Sequence, residues 1–145
     1  MSSATAPHRV SAAPSLVVTL ENCPEAAAVA RDAAGDLLQG LGPPLDRDAS
    51  DAVVLIVSEL VTNAVRHTRT ATCTLSLTAA PDTVTVSVTD SSTHPPRERN
   101  PDVRGEGGGF GWPMVRRLAK ATWVETTARG KTVHAVVARA GRGSA

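Results

Sequence analysis

Apolar positions along the chain switch between two periods, and the switches mark the elements. "SLVVTLE" at 15–21 alternates and predicts a short strand. From Pro24 the spacing changes: Ala26, Val29, Ala30, Ala33, Leu37 and Leu38 recur at helical intervals. They predict a helix over 24–40, opened by proline in its first turn and closed on glycines. After "GPPLDRD", Val53, Ile56, Val57, Leu60, Val61 and Ala64 repeat the helical pattern, ending near His67. Ser50 or Asp46 is placed to cap that second helix.

Two alternating runs follow, "TCTLSLTAA" (72–80) and "TVTVSVTD" (83–90), joined tightly by Pro81-Asp82. Residues 91–108 have no period and are rich in proline, glycine and charge, and so long a loop in a small domain is usually functional or disordered. "GWPMVRRLAKA" predicts a third helix with Pro113 in its first turn. "TWVETTA" and "KTVHAVVAR", joined by Arg129-Gly130, predict a closing hairpin. The order β-α-α-β-β-loop-α-β-β does not alternate as parallel α/β folds do. It predicts an α+β two-layer sandwich: a mixed, mostly antiparallel sheet covered on one face by three helices. On this reading residues 1–14 form a disordered segment, 15–139 one domain, and 140–145 a flexible tail.

Composition narrows the function. Aromatic residues are 2% of the 145 residues, so the core must be built from Ala, Val and Leu, and stacking on nucleic-acid bases is disfavoured. A net charge of +1 leaves no basic footprint, so direct nucleic-acid binding is not expected. Cys23 and Cys73 stand far apart without a CxxC context and read as buried free thiols of a reducing compartment. His8, His67, His94 and His134 lack zinc-ligand spacing. With no apolar run of membrane-span length and no apolar middle region of a signal peptide, the expectation is a cytoplasmic protein without a membrane partner.

Candidate chemistry lies in three places. In "RGEGGGFGWPMVRRL" (104–118) five glycines fall within seven residues, directly before the third helix. A dinucleotide fingerprint fails, because Phe110 and Trp112 stand where its last glycine must be. A P-loop also fails: the only Gly-Lys-Thr, Gly130 to Thr132, has Glu125 at the upstream glycine position and lies between strands. The glycine run is then either a linker or a cradle of free backbone N–H groups for an anion at a helix start. On the second helix, Glu59 and Asn63 share one side beside the apolar arc. They are solvated boundary residues, or two oxygen donors for a hard cation such as Mg²⁺. Asp90, at the end of an alternating strand, is either a turn former with Ser91 and Ser92 or an acceptor for an exocyclic amine.

Taken together and in this order, "SELVTNAVRHT", "VTDSS", "GGGFGWPMV" and "GKTV" resemble the N box, the two glycine boxes and the threonine box of the Bergerat-fold (GHKL) ATP-binding domains. Within that superfamily the chain is most similar to the small bacterial anti-sigma-factor serine/threonine kinases, from about Ser15 to Arg139. The resemblance implies ATP and Mg²⁺ as cofactors, with Asn63 on the metal and Glu59 as the catalytic base. It implies that Arg66 and His67 lie beside the nucleotide, that Asp90 accepts the adenine amine, and that Thr132 lies near both. Residues 91–108 become an ATP lid, with Arg104, Gly105, Gly107, Gly108, Gly109, Phe110 and Gly111 toward the nucleotide. A kinase of this type binds a sigma factor, phosphorylates an antagonist protein and forms a homodimer. The alternative is an ATP-binding module that sequesters a partner without phosphotransfer. Two places depart from the family pattern: Ser92 stands where glycine is usual, and Trp112-Pro113 where leucine is usual.

Overall fold

The structure is a computed structural model that describes residues 14–67, 71–92 and 111–140. All but Pro14 of the expected 1–14 segment, all but Ala140 of the expected 140–145 tail, and residues 93–108 of the expected 91–108 lid lie outside the described residues. Eight elements follow in the expected order: β1 (Ser15–Glu21), α1 (Ala26–Gln39), α2 (Arg47–His67), β2 (Thr72–Ala79), β3 (Thr83–Asp90), α3 (Gly111–Leu118), β4 (Ala121–Thr127) and β5 (Gly130–Ala138). The strands form one sheet ordered β1-β2-β3-β5-β4. All four pairings are antiparallel, which carries the mostly antiparallel expectation to its limit.

Strict alternation gives the sheet one apolar face. Leu75 and Leu77 on β2, Val84, Val86 and Val88 on β3, and Val133, Ala135 and Val137 on β5 point to the same side and are buried. The helices cover that side, with Val53, Ile56, Val57, Leu60 and Val61 of α2 over the central strands. The largest fully buried side chains are Ile, Leu and Val, so the core is aliphatic, as the low aromatic content requires. Asp46 caps α2: its Oδ1 accepts the backbone N–H of Ala49 at 2.8 Å, satisfying a donor that the first turn leaves without an intrahelical partner.

Helix α1 buries a narrower stripe than its apolar residues suggest. Ala26, Ala30, Ala34 and Leu38 face the core, while Val29 is 50% exposed. At 3.6 residues per turn those four positions span an arc of about 120°, and Val29 falls about 60° outside it. Alanines in that stripe let α1 approach α2 closely, and Arg31 of α1 donates to Ser58 Oγ of α2 at 3.1 Å. No helix among the described residues is long and apolar enough to cross a membrane.

Candidate functional site

Helix α2 sets three polar side chains in a row. Glu59, Asn63 and Arg66 follow one another at i, i+4 and i+7, within an arc of about 60°. The first two are half-buried and Arg66 is exposed. Burial pushes the Glu59 carboxyl above its ordinary value, and the positive charge of Arg66 works against that rise. His67 closes the helix, and its side chain lies outside the described residues, as do Arg104, Gly105, Gly107, Gly108, Gly109 and Phe110.

The chain re-enters the described structure directly against this row. A Cβ on Gly111 would collide with Oε1 of Glu59, so glycine at this position leaves the carboxylate its space. Trp112, half-buried, packs on the core from the first turn of α3, where Pro113 removes no intrahelical hydrogen bond. The departure at Trp112-Pro113 is therefore compatible with the helix start.

At the other departure the backbone uses a different device. The N–H of Ser92 donates to Oδ1 of Asp90 at 2.7 Å, an Asx-type turn. No described non-glycine residue has a positive φ, so Ser92 needs none of glycine's freedom.

Asp90 itself is tightly held. Lys131 Nζ lies 2.9 Å from its Oδ2 and 3.1 Å from its Oδ1. The two side chains are 5% (Lys131) and 2% (Asp90) exposed. The pairing follows from register: Asp90 stands opposite Lys131 across β3 and β5, both on the helix-covered face. The expectation that Thr132 lies beside Asp90 needs correcting by one residue. Successive side chains on a strand point to opposite faces, so Thr132 projects to the open side and its hydroxyl shares a 2.8 Å hydrogen bond with that of Thr89.

Two residues next to Asp90 complete its surroundings. Gly130, at φ +156°, brings its backbone so close that a Cβ would collide with the Asp90 carbonyl oxygen and stand 2.9 Å from Cα of Ser91. Cys73, buried on β2, has its thiol pushed up first by burial and then by the Asp90 charge, so it is a poor nucleophile. Cys23 is a free, half-buried thiol rather than a fully buried one.

The open face of the sheet carries a separate polar cluster that the one-dimensional pattern does not announce. His134 Nε2 lies 2.7 Å from Glu125 Oε1, its Nδ1 lies 2.7 Å from Ser87 Oγ, and its ring stacks on Trp123 at 4.6 Å. Because a carboxylate only accepts, Nε2 carries a proton toward Glu125, and Nδ1 shares the second hydrogen bond with the Ser87 hydroxyl. The four residues come from three strands, and only the sheet order β3-β5-β4 joins them.

Of the residues expected from the sequence, Glu59, Asn63, Arg66, Asp90 and Gly111 lie within the described structure, and the fold sets Glu59 against Gly111. Lys131 and the reason for Gly130 carry no such signal in the sequence. Alternation along β5 carries the parity that finds Lys131, but only once β5 is known to be the neighbour of β3.

Residues 20–137 match the family described as the histidine kinase-like ATPase domain. A search of curated proteins finds no match. Among solved structures, the chain is similar to the RsbU and RsbW domains of Rv1364c from Mycobacterium tuberculosis, at 22% identity and a TM-score of 0.65 over 86% of this chain. It is also similar to the histidine kinase domain of the Erythrobacter litoralis EL346 blue-light activated histidine kinase, at 21% identity and a TM-score of 0.45 over 63% of this chain. The chain spans 32% of the first structure's length and 45% of the second's. The first likeness is one of fold.

Proposed function

From the premise that the chain belongs to the histidine kinase-like ATPase domain family, we propose that it is an ATP- and magnesium-dependent regulatory serine/threonine kinase of the anti-sigma-factor type. It binds a sigma factor, phosphorylates a serine on an antagonist protein, and acts in the cytoplasm as a homodimer. The observation that carries this reading is the closeness of Glu59 and Gly111, which sets a half-buried carboxylate of raised pKa against the last glycine of the run.

The residues present suit the cofactors at the phosphate end. The amide oxygen of Asn63 is the kind of hard donor that Mg²⁺ takes, and Glu59 one turn away is left free to act as a base. Among the described residues no three His, Cys, Asp or Glu side chains gather as a metal site, so the remaining ligands would be water and phosphate oxygens. Magnesium ATP, when bound, supplies a charge-compensated γ-phosphoryl group. Asn63 would hold the metal, and Glu59 would take the proton of the serine hydroxyl. The raised pKa makes Glu59 a stronger base near neutrality than an ordinary carboxylate. Gly111 keeps its backbone free of a side chain next to that carboxylate, and Asp90 accepts the adenine amine.

Labelled ATP, incubated with the protein and candidate sigma-factor antagonists, tests the proposal. Label should appear on a partner serine and disappear with Glu59→Gln, while ATP binding survives the substitution. Tight ATP binding with no transfer to any cognate partner would leave a binding-only regulator in its place.

A further inference from the structure

Asp90 is the residue that should receive a donor from the base, yet its carboxylate already has donors. A carboxylate offers about four acceptor positions. Lys131 takes one on each oxygen, and the Ser92 N–H takes another on Oδ1. Neither side chain of the ion pair is more than 5% exposed, so water does not weaken it from outside.

We propose that Lys131 sets the nucleotide affinity of this site: its ammonium spans both oxygens of the buried Asp90 carboxylate, and a base amine must compete with it there. The inference rests on the reading of Asp90 as the adenine acceptor. Two features build the pair into the fold, and a third lets it exchange. Lys131 is fixed opposite Asp90 by register, so the contact is built into the sheet and does not depend on a loop. Gly130 draws the start of β5 against the Asp90 and Ser91 backbone, which brings the lysine stem to the carboxylate. Lysine is a point charge on a flexible four-carbon stem, so its ammonium can leave without moving the strand.

Exchange also gives selectivity. A buried carboxylate stripped of its cation demands another donor, which the amine of adenine supplies and the carbonyl oxygen of guanine at the same ring position does not. Binding of the base then costs the ion pair and regains part of it through the amine. Nucleotide affinity is held down by a residue that touches the base site and not the phosphates.

The test is a calorimetric titration of the full chain with Mg-ATP and Mg-GTP. Lys131→Met should bind ATP at least tenfold more tightly than wild type with no comparable gain for GTP. Asp90→Asn/Lys131→Met should lose the gain. Lys131→Gln, which keeps a neutral donor for Asp90, should fall between wild type and Lys131→Met, and serves if the methionine variant does not fold. On wild-type protein, reductive methylation of Lys131, followed by peptide mass spectrometry, should rise when ATP saturates the site. Equal or weaker ATP binding by both Lys131 variants, or Lys131 labelling unchanged by bound ATP, would overturn the exchange. If that happened while wild type bound ATP and Asn63→Ala weakened it, only the exchange would fall. No ATP binding by wild type or any variant would remove the nucleotide reading along with it.

Discussion

Lys131 Nζ stands within 3.1 Å of both carboxylate oxygens of Asp90, 41 residues away in sequence, and the pair is buried. A buried pair is weak evidence of stability by itself, because desolvating two charges offsets much of their attraction. Breaking it is another matter. Lys131→Met should destabilise the fold by about 3–5 kcal/mol, since it leaves a buried carboxylate without its counter-charge. Asp90→Asn/Lys131→Met should recover most of that loss. Urea unfolding of the two single variants and the double variant gives the coupling energy. Additive losses would mean that the pair is not formed in solution.

Gly130 makes a second prediction. Its φ of +156° strains any other residue, and a Cβ would meet backbone that has no room to move. Gly130→Ala should lower stability by about 2–5 kcal/mol, seen as a lower urea midpoint at an unchanged slope. Gly35, by contrast, has nothing within 4 Å of an added Cβ, and Gly35→Ala in the middle of α1 should raise the midpoint.

Glu59 links stability to pH. Burial holds its carboxyl pKa above the unfolded value, so the folded state binds the proton more tightly than the unfolded one. Stability contributed at this site is therefore present at acid pH, where both states are protonated. It is lost as pH rises from the ordinary glutamate range through the folded pKa. Glu59→Gln has no charge to bury and should melt at a higher temperature than wild type at neutral pH. The difference should shrink as pH falls below the glutamate range. Thermal melts of the two proteins across that span check it, and a gap independent of pH would contradict it.

The elements were legible because their periods are strict. β2 and β3 alternate without a break, and α2 keeps one apolar arc over its length. Val29 shows where periodicity stops: it belongs to the helical pattern of α1, yet the closeness that Ala26, Ala30 and Ala34 allow leaves it outside the contact. The candidate site was legible where its residues share a helix, as Glu59 and Asn63 do. Lys131 was hidden, because β5 pairs with β3 across an intervening helix and β4, and no local signal states that order. A one-residue difference in parity then separates Lys131, on the side of Asp90, from Thr132, on the other face. Ser92 shows the converse. A missing glycine suggests a lost bend, but an Asx turn from Asp90 supplies one with ordinary backbone angles.

Whether α2 presents a nucleotide-phosphate site is decided by titrating wild type and Asn63→Ala with Mg-ATP by calorimetry. Wild type should bind saturably and one-to-one, and the variant should lose at least tenfold, about 1.4 kcal/mol, with its unfolding midpoint little changed. Equal affinity in the two proteins, or no binding by wild type, would contradict it.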